Sequence, residues 1–433
     1  MKDKPNIILF ITHDQGQFLG CYNSAKTPNS LNTPNIDKIA ENGVKFTNYF
    51  CTAPQCSPSR GSMKTSLYPH QNDLMGLTNL GWSLPSRSKT LPMYLKENGY
   101  TTHLLGLQHE TFNAFTLGYD TISKRGPEFK YSCNRMEEIY LDFFSEHKND
   151  TKPFYASIGT IEVHRPFKAW AEPVNPEVVK VPPFLPDNEM IRHDLAEYYG
   201  AIHLVDETIG KVINHLESLE LKDNTLFIYT TDHGAPFPRA KCTLYDPGIK
   251  TILLMSWPNS EIIKRGLVKD QLVSNIDLLP TILNLIGANI SKGIEGRSFV
   301  GIFNNQSQNH RTEIYTEKTY HEIYDPIRAV RTDNFKYIKN FERSNTLYQI
   351  PLDVGRDPSG MYMKDLINQP RAEEELYDLE KDPYEINNLV GDPIYENTKI
   401  ELNQKLFEWM KNTNDPLLKG KIRDLRKSPP RHY

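Results

Sequence analysis

The sequence Ile7-Ile8-Leu9-Phe10-Ile11-Thr12 is a short apolar run that ends directly on His13 and Asp14. A continuous apolar run of this length predicts a strand that is buried on both faces of a sheet. Four similar runs follow at residues 101–105, 154–159, 226–231 and 252–256, with helical patterns between them. This alternation predicts an α/β fold in which a mostly parallel sheet is sandwiched by helices.

The clearest helical pattern covers residues 195–216, where apolar side chains recur at three- and four-residue spacing. After a polar run at residues 304–311 the pattern changes. Short runs at 327–330, 336–340 and 376–379 predict a small antiparallel sheet, and residues 402–410 predict a final helix. We therefore expect a large domain at 1–310 and a smaller α+β domain at 311–433.

Composition narrows the class of protein. With 50 basic and 54 acidic residues, the net charge of -4 provides no general attraction to nucleic acid or to membranes. The five cysteines are scattered and odd in number, which predicts reduced thiols rather than a disulfide framework. The apolar run at residues 6–12 is too short for a signal-peptide core or a membrane span, so a cytoplasmic protein is expected.

Polar side chains follow four of the predicted strands. His13 and Asp14 follow the first strand, His109 follows the second, His164 follows the third, and the pair Asp232-His233 follows the fourth. The carboxyl ends of parallel strands meet at one edge of a sheet, which is where such folds bind ligands. The four strand ends together predict a functional site at this edge.

The segment Cys56-Ser57-Pro58-Ser59-Arg60 adds a reactive group. Pro58 suits the first position of a helix, which would place Cys56 at a helix N-terminus that favours an anion. Arg60 lies one turn further on and offers a planar fork for sulfate or phosphate oxygens. A lone cysteine is more often a small core residue, but these neighbours favour a nucleophile.

This segment resembles the signature that, in the sulfatase family, directs the conversion of cysteine to formylglycine. The resemblance runs from residues 5–8 through 33–36 and 277–281 to 375–378, and it implies an alkaline-phosphatase-like fold. The segments at 162–167, 236–241 and 244–248 are most similar to the sulfamidases, which are heparan N-sulfatases. The smaller domain would then close the substrate cleft.

The resemblance implies a set of catalytic roles. The hydrated aldehyde made from Cys56 would attack sulfur with one hydroxyl, and the second hydroxyl would later expel sulfate. His109 would take the proton of the second hydroxyl. His164 and Lys241 would hold the sulfate and help to protonate the leaving group, and Arg60 would steady the diol and the anion.

The resemblance also implies one divalent metal, held by Asp14, Asp232, His233 and an oxygen of modified Cys56. Calcium is the family expectation. Imidazole is a better ligand for manganese or zinc, so the presence of His13 and His233 keeps these metals as alternatives. His13 stands where the family commonly has an aspartate, and its role is open between a metal ligand and a residue that supports the ligands.

Two positions depart from the family pattern, and two more match a region that contacts the sugar. Leu107 stands where a sulfate-binding lysine is usual, and Ser66 replaces a glycine at the end of the modification signature. In the smaller domain, His321 and Arg328 match a segment that reaches toward the sugar in sulfamidases. Arg328 could equally make a salt bridge.

The leading hypothesis is hydrolysis of the N-sulfate of glucosamine in heparan fragments. An O-sulfatase acting on another sulfated sugar and a phosphodiester or phosphonate hydrolase are the enzymatic alternatives. A catalytically inactive sulfate-binding protein is the alternative from another class, although such a protein has no need of the modification signature. The expected partners are a sulfated saccharide and a formylglycine-generating maturation enzyme, with no nucleic acid and no membrane, and a homodimer remains open.

Overall fold

The computed structural model describes residues 4–24, 27–123, 131–303 and 310–426. Within these residues the chain forms the following strands, in order: β1 Asn6–Thr12, β2 Val44–Phe46, β3 Tyr49–Phe50, β4 Thr101–Gly106, β5 Thr121–Ile122, β6 Phe154–Gly159, β7 Thr225–Thr231, β8 Lys250–Thr251, β9 Leu253–Ser256, β10 Leu267–Lys269, β11 Val273–Ser274, β12 Glu313–Tyr320, β13 Tyr324–Thr332, β14 Phe335–Asn340 and β15 Glu374–Asp378.

The α-helices of the described residues are α1 Pro34–Glu41, α2 Cys56–Thr65, α3 Pro69–Asn72, α4 Leu91–Glu97, α5 Cys133–Glu146, α6 Glu189–Ser218, α7 Asp246–Ile249, α8 Leu278–Leu285, α9 Val300–Phe303, α10 Leu352–Gly355, α11 Pro358–Ile367 and α12 Glu396–Asn412. Among the described residues, no helix is both long and apolar enough to cross a membrane.

The main sheet has eight strands in the order β10-β2-β9-β7-β1-β6-β4-β5. Strand β1 is central and pairs in parallel with both β6 and β7. Strand β9 runs antiparallel to its two neighbours, β2 and β7. The other pairings in this sheet are parallel, which confirms the mostly parallel sheet predicted from the apolar runs.

Helices cover both faces of this sheet, and β1 shows why. Side chains of a strand alternate between the two faces. Ile8 and Phe10 belong to one buried apolar cluster, and Leu9 belongs to the other. Every one of these side chains is fully buried, so the strand is apolar throughout rather than on alternate positions.

The predicted long helix is α6, which packs against α5 and α1 in the apolar cluster that contains Ile8 and Phe10. This cluster is called the first apolar cluster below. It begins where the Asn188 side chain accepts a hydrogen bond from the Ile191 N–H, which satisfies one of the unpaired donors of the first turn. Its buried face includes Leu195, Ile202 and Val205, as the three- and four-residue spacing predicts.

The C-terminal part of the chain forms a second sheet, β12-β13-β14-β15, in which every pairing is antiparallel. Helix α12 packs against β13 and β14. Strand β12 also contacts the segment before α2, because the Glu317 N–H donates to the Thr52 carbonyl at 2.8 Å. The predicted domain boundary near residue 310 adjoins residues 304–309, which lie outside the described residues.

Candidate active site

The ends of β1 and β7 lie side by side and bring four polar side chains together. The Asp14 N–H donates to Asp232 Oδ1 at 2.9 Å, which fixes the two strand ends relative to each other. His233 Nε2 lies 2.9 Å from Asp14 Oδ1. The Cys56 thiol lies 3.3 Å from His233 Nε2 and 3.7 Å from Asp14 Oδ1. The residues that the sequence suggested for the metal site are therefore in mutual contact.

His13 belongs to the same group of side chains. Its Nδ1 lies 3.2 Å from Asp232 Oδ2 and 3.7 Å from Asp14 Oδ1. Both ring nitrogens are buried, and neither has a hydrogen-bond partner among the described residues. Burial lowers the pKa of His13 to about 4, against the opposing attraction of Asp232, so the ring is neutral near pH 7 and its nitrogen can donate an electron pair.

This group of donors fits a divalent metal ion. One ligand atom each from His13, Asp14, Cys56 and Asp232 lies within 4.8 Å of the others. The ring nitrogens of His13 are buried without a hydrogen-bond partner among the described residues, and a cation bound by one of them would offset that desolvation cost. The mixture of oxygen and nitrogen atoms also suits manganese or zinc, whereas calcium prefers oxygen ligands alone.

Cys56 is the first residue of α2. The helix begins two residues earlier than expected, since Pro58 occupies the third position rather than the first. A proline at this place costs no helical hydrogen bond, because the first four N–H groups of a helix have no partner within it. Burial raises the pKa of the Cys56 thiol, and the charges of Asp14 and Asp232 raise it further, so the unmodified thiol is a poor nucleophile.

Arg60 forms hydrogen bonds at the ends of both β1 and β7. Its Nε donates to Asp232 Oδ2 at 2.9 Å, and its Nη2 donates to the Thr12 carbonyl at 3.0 Å. The side chain is 1% exposed. The guanidinium therefore balances the charge of Asp232 and fixes its orientation, one turn of helix away from Cys56.

Lys241 and His164 lie on the outer side of Asp14. The Lys241 ammonium donates to Asp14 Oδ2 at 2.6 Å and lies 3.3 Å from His164 Nε2. His164 Nδ1 lies 2.6 Å from the Arg165 carbonyl, which requires a proton on Nδ1 and directs Nε2 toward the site. The carboxylate of Asp14 helps to hold the pKa of Lys241 well above its usual value in spite of burial, so the ammonium stays charged.

His109 completes the site from the end of β4. Its ring centroid lies 5.8 Å from that of His13, and both of its nitrogens are buried without a hydrogen-bond partner among the described residues. Burial, together with the positive charge of neighbouring groups, holds the pKa of His109 well below its usual value. A neutral imidazole in this position can accept a proton.

Asp353 is a residue of the site that sequence reasoning missed. It lies in the short helix α10, and its Oδ2 accepts a hydrogen bond from the Lys241 ammonium at 2.6 Å. The same oxygen is 3.5 Å from His164 Nε2. No local motif marks this aspartate, because its role depends on a contact with a residue 112 positions away in the sequence.

For Arg328 the structure shows the salt bridge that was the alternative to a sugar contact. Its side chain is fully buried, and its guanidinium pairs with Asp415 at 2.6 Å and with Glu317 at 3.3 Å. A salt bridge within the C-terminal region explains this arginine. His321 is 5% exposed and contacts Glu322 through Nδ1, so its predicted contact with a sugar stays a prediction.

Leu107 lies in the hydrophobic core rather than in the site. It is 6% exposed and packs in the first apolar cluster, just beyond the end of β4. Arg60 and Lys241 are cations whose charges act on the Cys56 thiol, and both are paired with carboxylates.

The fold and the site are those of a hydrolase with a group of carboxylate and histidine side chains that could hold a metal ion, and comparison with known proteins gives its family. The sulfatase family model matches residues 5–288, and a model described as N-sulphoglucosamine sulphohydrolase, C-terminal, matches residues 239–375. The chain belongs to the sulfatase family. Members of this family use formylglycine and a divalent metal to hydrolyse sulfate from sulfated saccharides.

Individual relatives cover nearly the whole chain. An ulvan-active sulfatase of Formosa agariphila is 30% identical over 98% of this chain and 83% of its own length. The N-sulphoglucosamine sulphohydrolase of Homo sapiens is 28% identical over 95% of this chain and 91% of its own length. The structure of BT4656 with its substrate D-glucosamine-2-N,6-O-disulfate has a TM-score of 0.72 at 20% identity, covering 97% of this chain and 100% of that one.

Proposed function

We propose that this sulfatase hydrolyses the N-sulfate of glucosamine, using a formylglycine made from Cys56. The observation that carries this proposal is the match of residues 239–375 to the C-terminal model of N-sulphoglucosamine sulphohydrolase. That segment supplies Lys241 and Asp353, the two charged side chains beside the candidate general acid His164. Substrate choice depends on the groups that face the leaving atom, so similarity in this segment bears directly on the substrate.

Asp14, Asp232 and His233 would hold the metal, together with position 56, and His13 would be a further ligand. When bound, this metal would supply positive charge that polarises sulfate oxygens and makes a hydroxyl a stronger nucleophile. Arg60 would keep Asp232 ionised and correctly oriented, since its guanidinium contacts both Asp232 and the carbonyl of Thr12.

Formylglycine and three further side chains would carry out the reaction. Formylglycine, as its hydrate, would supply the hydroxyl that attacks sulfur. Lys241 would bind a sulfate oxygen, and His164 Nε2 would deliver a proton to the leaving nitrogen, which makes the amine a better leaving group. His109, with two unpartnered ring nitrogens, would accept the proton of the second hydroxyl when sulfate is released.

Hydrolysis of an O-sulfate ester is the second candidate. The ulvan-active sulfatase from Formosa agariphila is slightly more similar in sequence than the human enzyme and covers as much of the chain. An alkoxide leaving group also needs protonation, so the pair of Lys241 and His164 would serve this reaction equally well. The two functions differ in the sugar that the outer part of the site must accept.

The first test is mass spectrometry of the peptide that contains Cys56, in protein produced with a formylglycine-generating enzyme. We expect the mass of formylglycine. The second test measures sulfate release from N-sulfoglucosamine, from glucosamine 6-O-sulfate and from an aryl phosphonate. Hydrolysis of N-sulfoglucosamine should exceed that of the other two at least tenfold in kcat/KM, and the Cys56→Ala variant should release no sulfate. A preference for the 6-O-sulfate would replace this proposal with the second candidate.

A further inference from the structure

Asp353 lies at the mouth of the site, on the side where the leaving group would stand. Its side chain is 24% exposed, whereas those of Lys241 and Asp14 are 2% and 0% exposed. Its Oδ2 is 2.6 Å from the Lys241 ammonium and 3.5 Å from His164 Nε2. A substrate whose leaving atom contacts His164 would therefore bring the neighbouring substituents close to this carboxylate.

The Asp353 carboxylate keeps a net negative charge at the mouth. Burial alone would raise its pKa, but the charge of Lys241 outweighs burial and holds the pKa well below the usual range. The ammonium of Lys241 also donates a hydrogen bond to Asp14, at the same distance of 2.6 Å. One positive charge shared between two carboxylates leaves an acceptor of hydrogen bonds facing the substrate.

We propose that Asp353 is a specificity residue that discriminates between substituents next to the scissile sulfate. It accepts a hydrogen bond from a hydroxyl at that position and repels a second sulfate or a carboxylate there. In N-sulfoglucosamine the adjacent hydroxyls are those on carbons 1 and 3; this sugar form of the proposal rests on the proposed function. The site would thus bind one anion tightly through Lys241 and exclude a second anion beside it.

The expected effect follows from electrostatics at short range. Two like unit charges about 5 Å apart, at an effective dielectric constant of about 20, disfavour binding by roughly two orders of magnitude. Partial exposure of Asp353 weakens this repulsion through solvent screening. We therefore expect a discrimination of about tenfold or more that depends on the charge of Asp353.

The test compares the intact enzyme with Asp353→Asn, which removes the charge, and with Asp353→Glu, which keeps it. Asp357→Asn is the matched control, because it removes a negative charge from the same segment but pairs with Arg165 instead of Lys241. Two substrate pairs are used: N-sulfoglucosamine with its 3-O-sulfated derivative, and phenyl sulfate with 2-carboxyphenyl sulfate. The readout is the ratio of kcat/KM within each pair, with thermal melting to verify folding.

We expect the intact enzyme, Asp353→Glu and Asp357→Asn to prefer the substrate without the second anion, and Asp353→Asn to lower this preference at least tenfold. An unchanged ratio in folded Asp353→Asn, or an equal fall in Asp357→Asn, would overturn the proposal. If the N-sulfated sugars are not cleaved but the phenyl pair depends on Asp353, the proposed function falls and this inference stands. Failure of the intact enzyme on all four substrates would overturn both.

Discussion

We expect the metal preference of the site to depend on His13. Its ring nitrogens lie beside Asp14 and Asp232 without a hydrogen-bond partner among the described residues, in the place where a metal ligand would stand. Nitrogen is a favourable ligand for manganese and zinc but a poor one for calcium, which prefers carboxylate and carbonyl oxygens. One side chain can therefore shift the selectivity of the whole site.

We predict that His13→Asp shifts metal preference toward calcium. Metal-free protein is titrated separately with Ca²⁺ and Mn²⁺, and the melting temperature is followed, since a ligand that binds only the folded state stabilises it. The ratio of the two dissociation constants should move at least tenfold toward Ca²⁺ in the variant. His193→Asp is the control, because His193 is exposed on α6 and should leave the ratio unchanged. The same ratio in wild type and His13→Asp would refute this assignment.

Residues at the site could be predicted from the sequence when a strand end or a motif placed them. His13, Asp14, Asp232 and His233 were found because each directly follows an apolar run, and parallel strands end at one edge. Asp353 could not be found in this way, since only tertiary folding brings it to Lys241. For Arg328 the sequence left a sugar contact and a salt bridge open, because a match in position does not reveal a buried partner such as Asp415.

At the scale of elements, Glu162 links the end of β6 to the start of α5. Both of its carboxylate oxygens accept from the Cys133 N–H at 3.0 and 3.1 Å, which satisfies a donor at the helix N-terminus. Burial is the main cause that raises the pKa of Glu162 to about 7, against the lowering effect of these hydrogen bonds. The folded protein therefore binds this proton more tightly than the unfolded chain does.

A raised carboxyl pKa makes stability fall as pH rises. Below the unfolded value of about 4.5 both states are protonated, and between there and pH 7 the unfolded state loses its proton first. Ionisation of Glu162 should therefore cost the folded state up to about 3 kcal/mol by pH 8. Chemical denaturation of Glu162→Gln and wild type, compared from pH 5 to 8, should show the variant gaining relative stability as pH rises. A constant difference would contradict the assigned pKa.

The long elements were predictable, and the short ones were not. The apolar runs located β1, β4, β6, β7 and β9, and the helical period located α6, because burial on both faces or on one stripe imposes a distinct pattern. Strands such as β3 and β8 have two residues each, which is too few for any period. Their positions depend on pairing with distant segments, as between Tyr49 and Thr251.

At the scale of the whole molecule, residues on the two sides of position 310 share their cores. Ile314 and Ile327 belong to the same buried cluster as Ile8, and Trp409 belongs to the same cluster as Leu9. We propose that residues 311–433 form a smaller domain that closes the substrate cleft. A domain that shares its apolar core with its neighbour has little surface left with which to fold alone.

This shared core predicts that the chain unfolds in one cooperative transition. Calorimetry should give a van't Hoff enthalpy equal to the calorimetric enthalpy, and the fluorescence of Trp409 alone should follow the same curve as far-ultraviolet circular dichroism. The tryptophan probe is isolated by replacing Trp82, Trp170 and Trp257 with phenylalanine, and the triple variant must first match the wild-type melting temperature.

Earlier loss of the Trp409 signal would contradict this prediction and would mean that the C-terminal region melts first. Asp353, which that region carries to Lys241, would then leave the site before the main sheet unfolds, and its specificity would fade with temperature while sulfate release persisted.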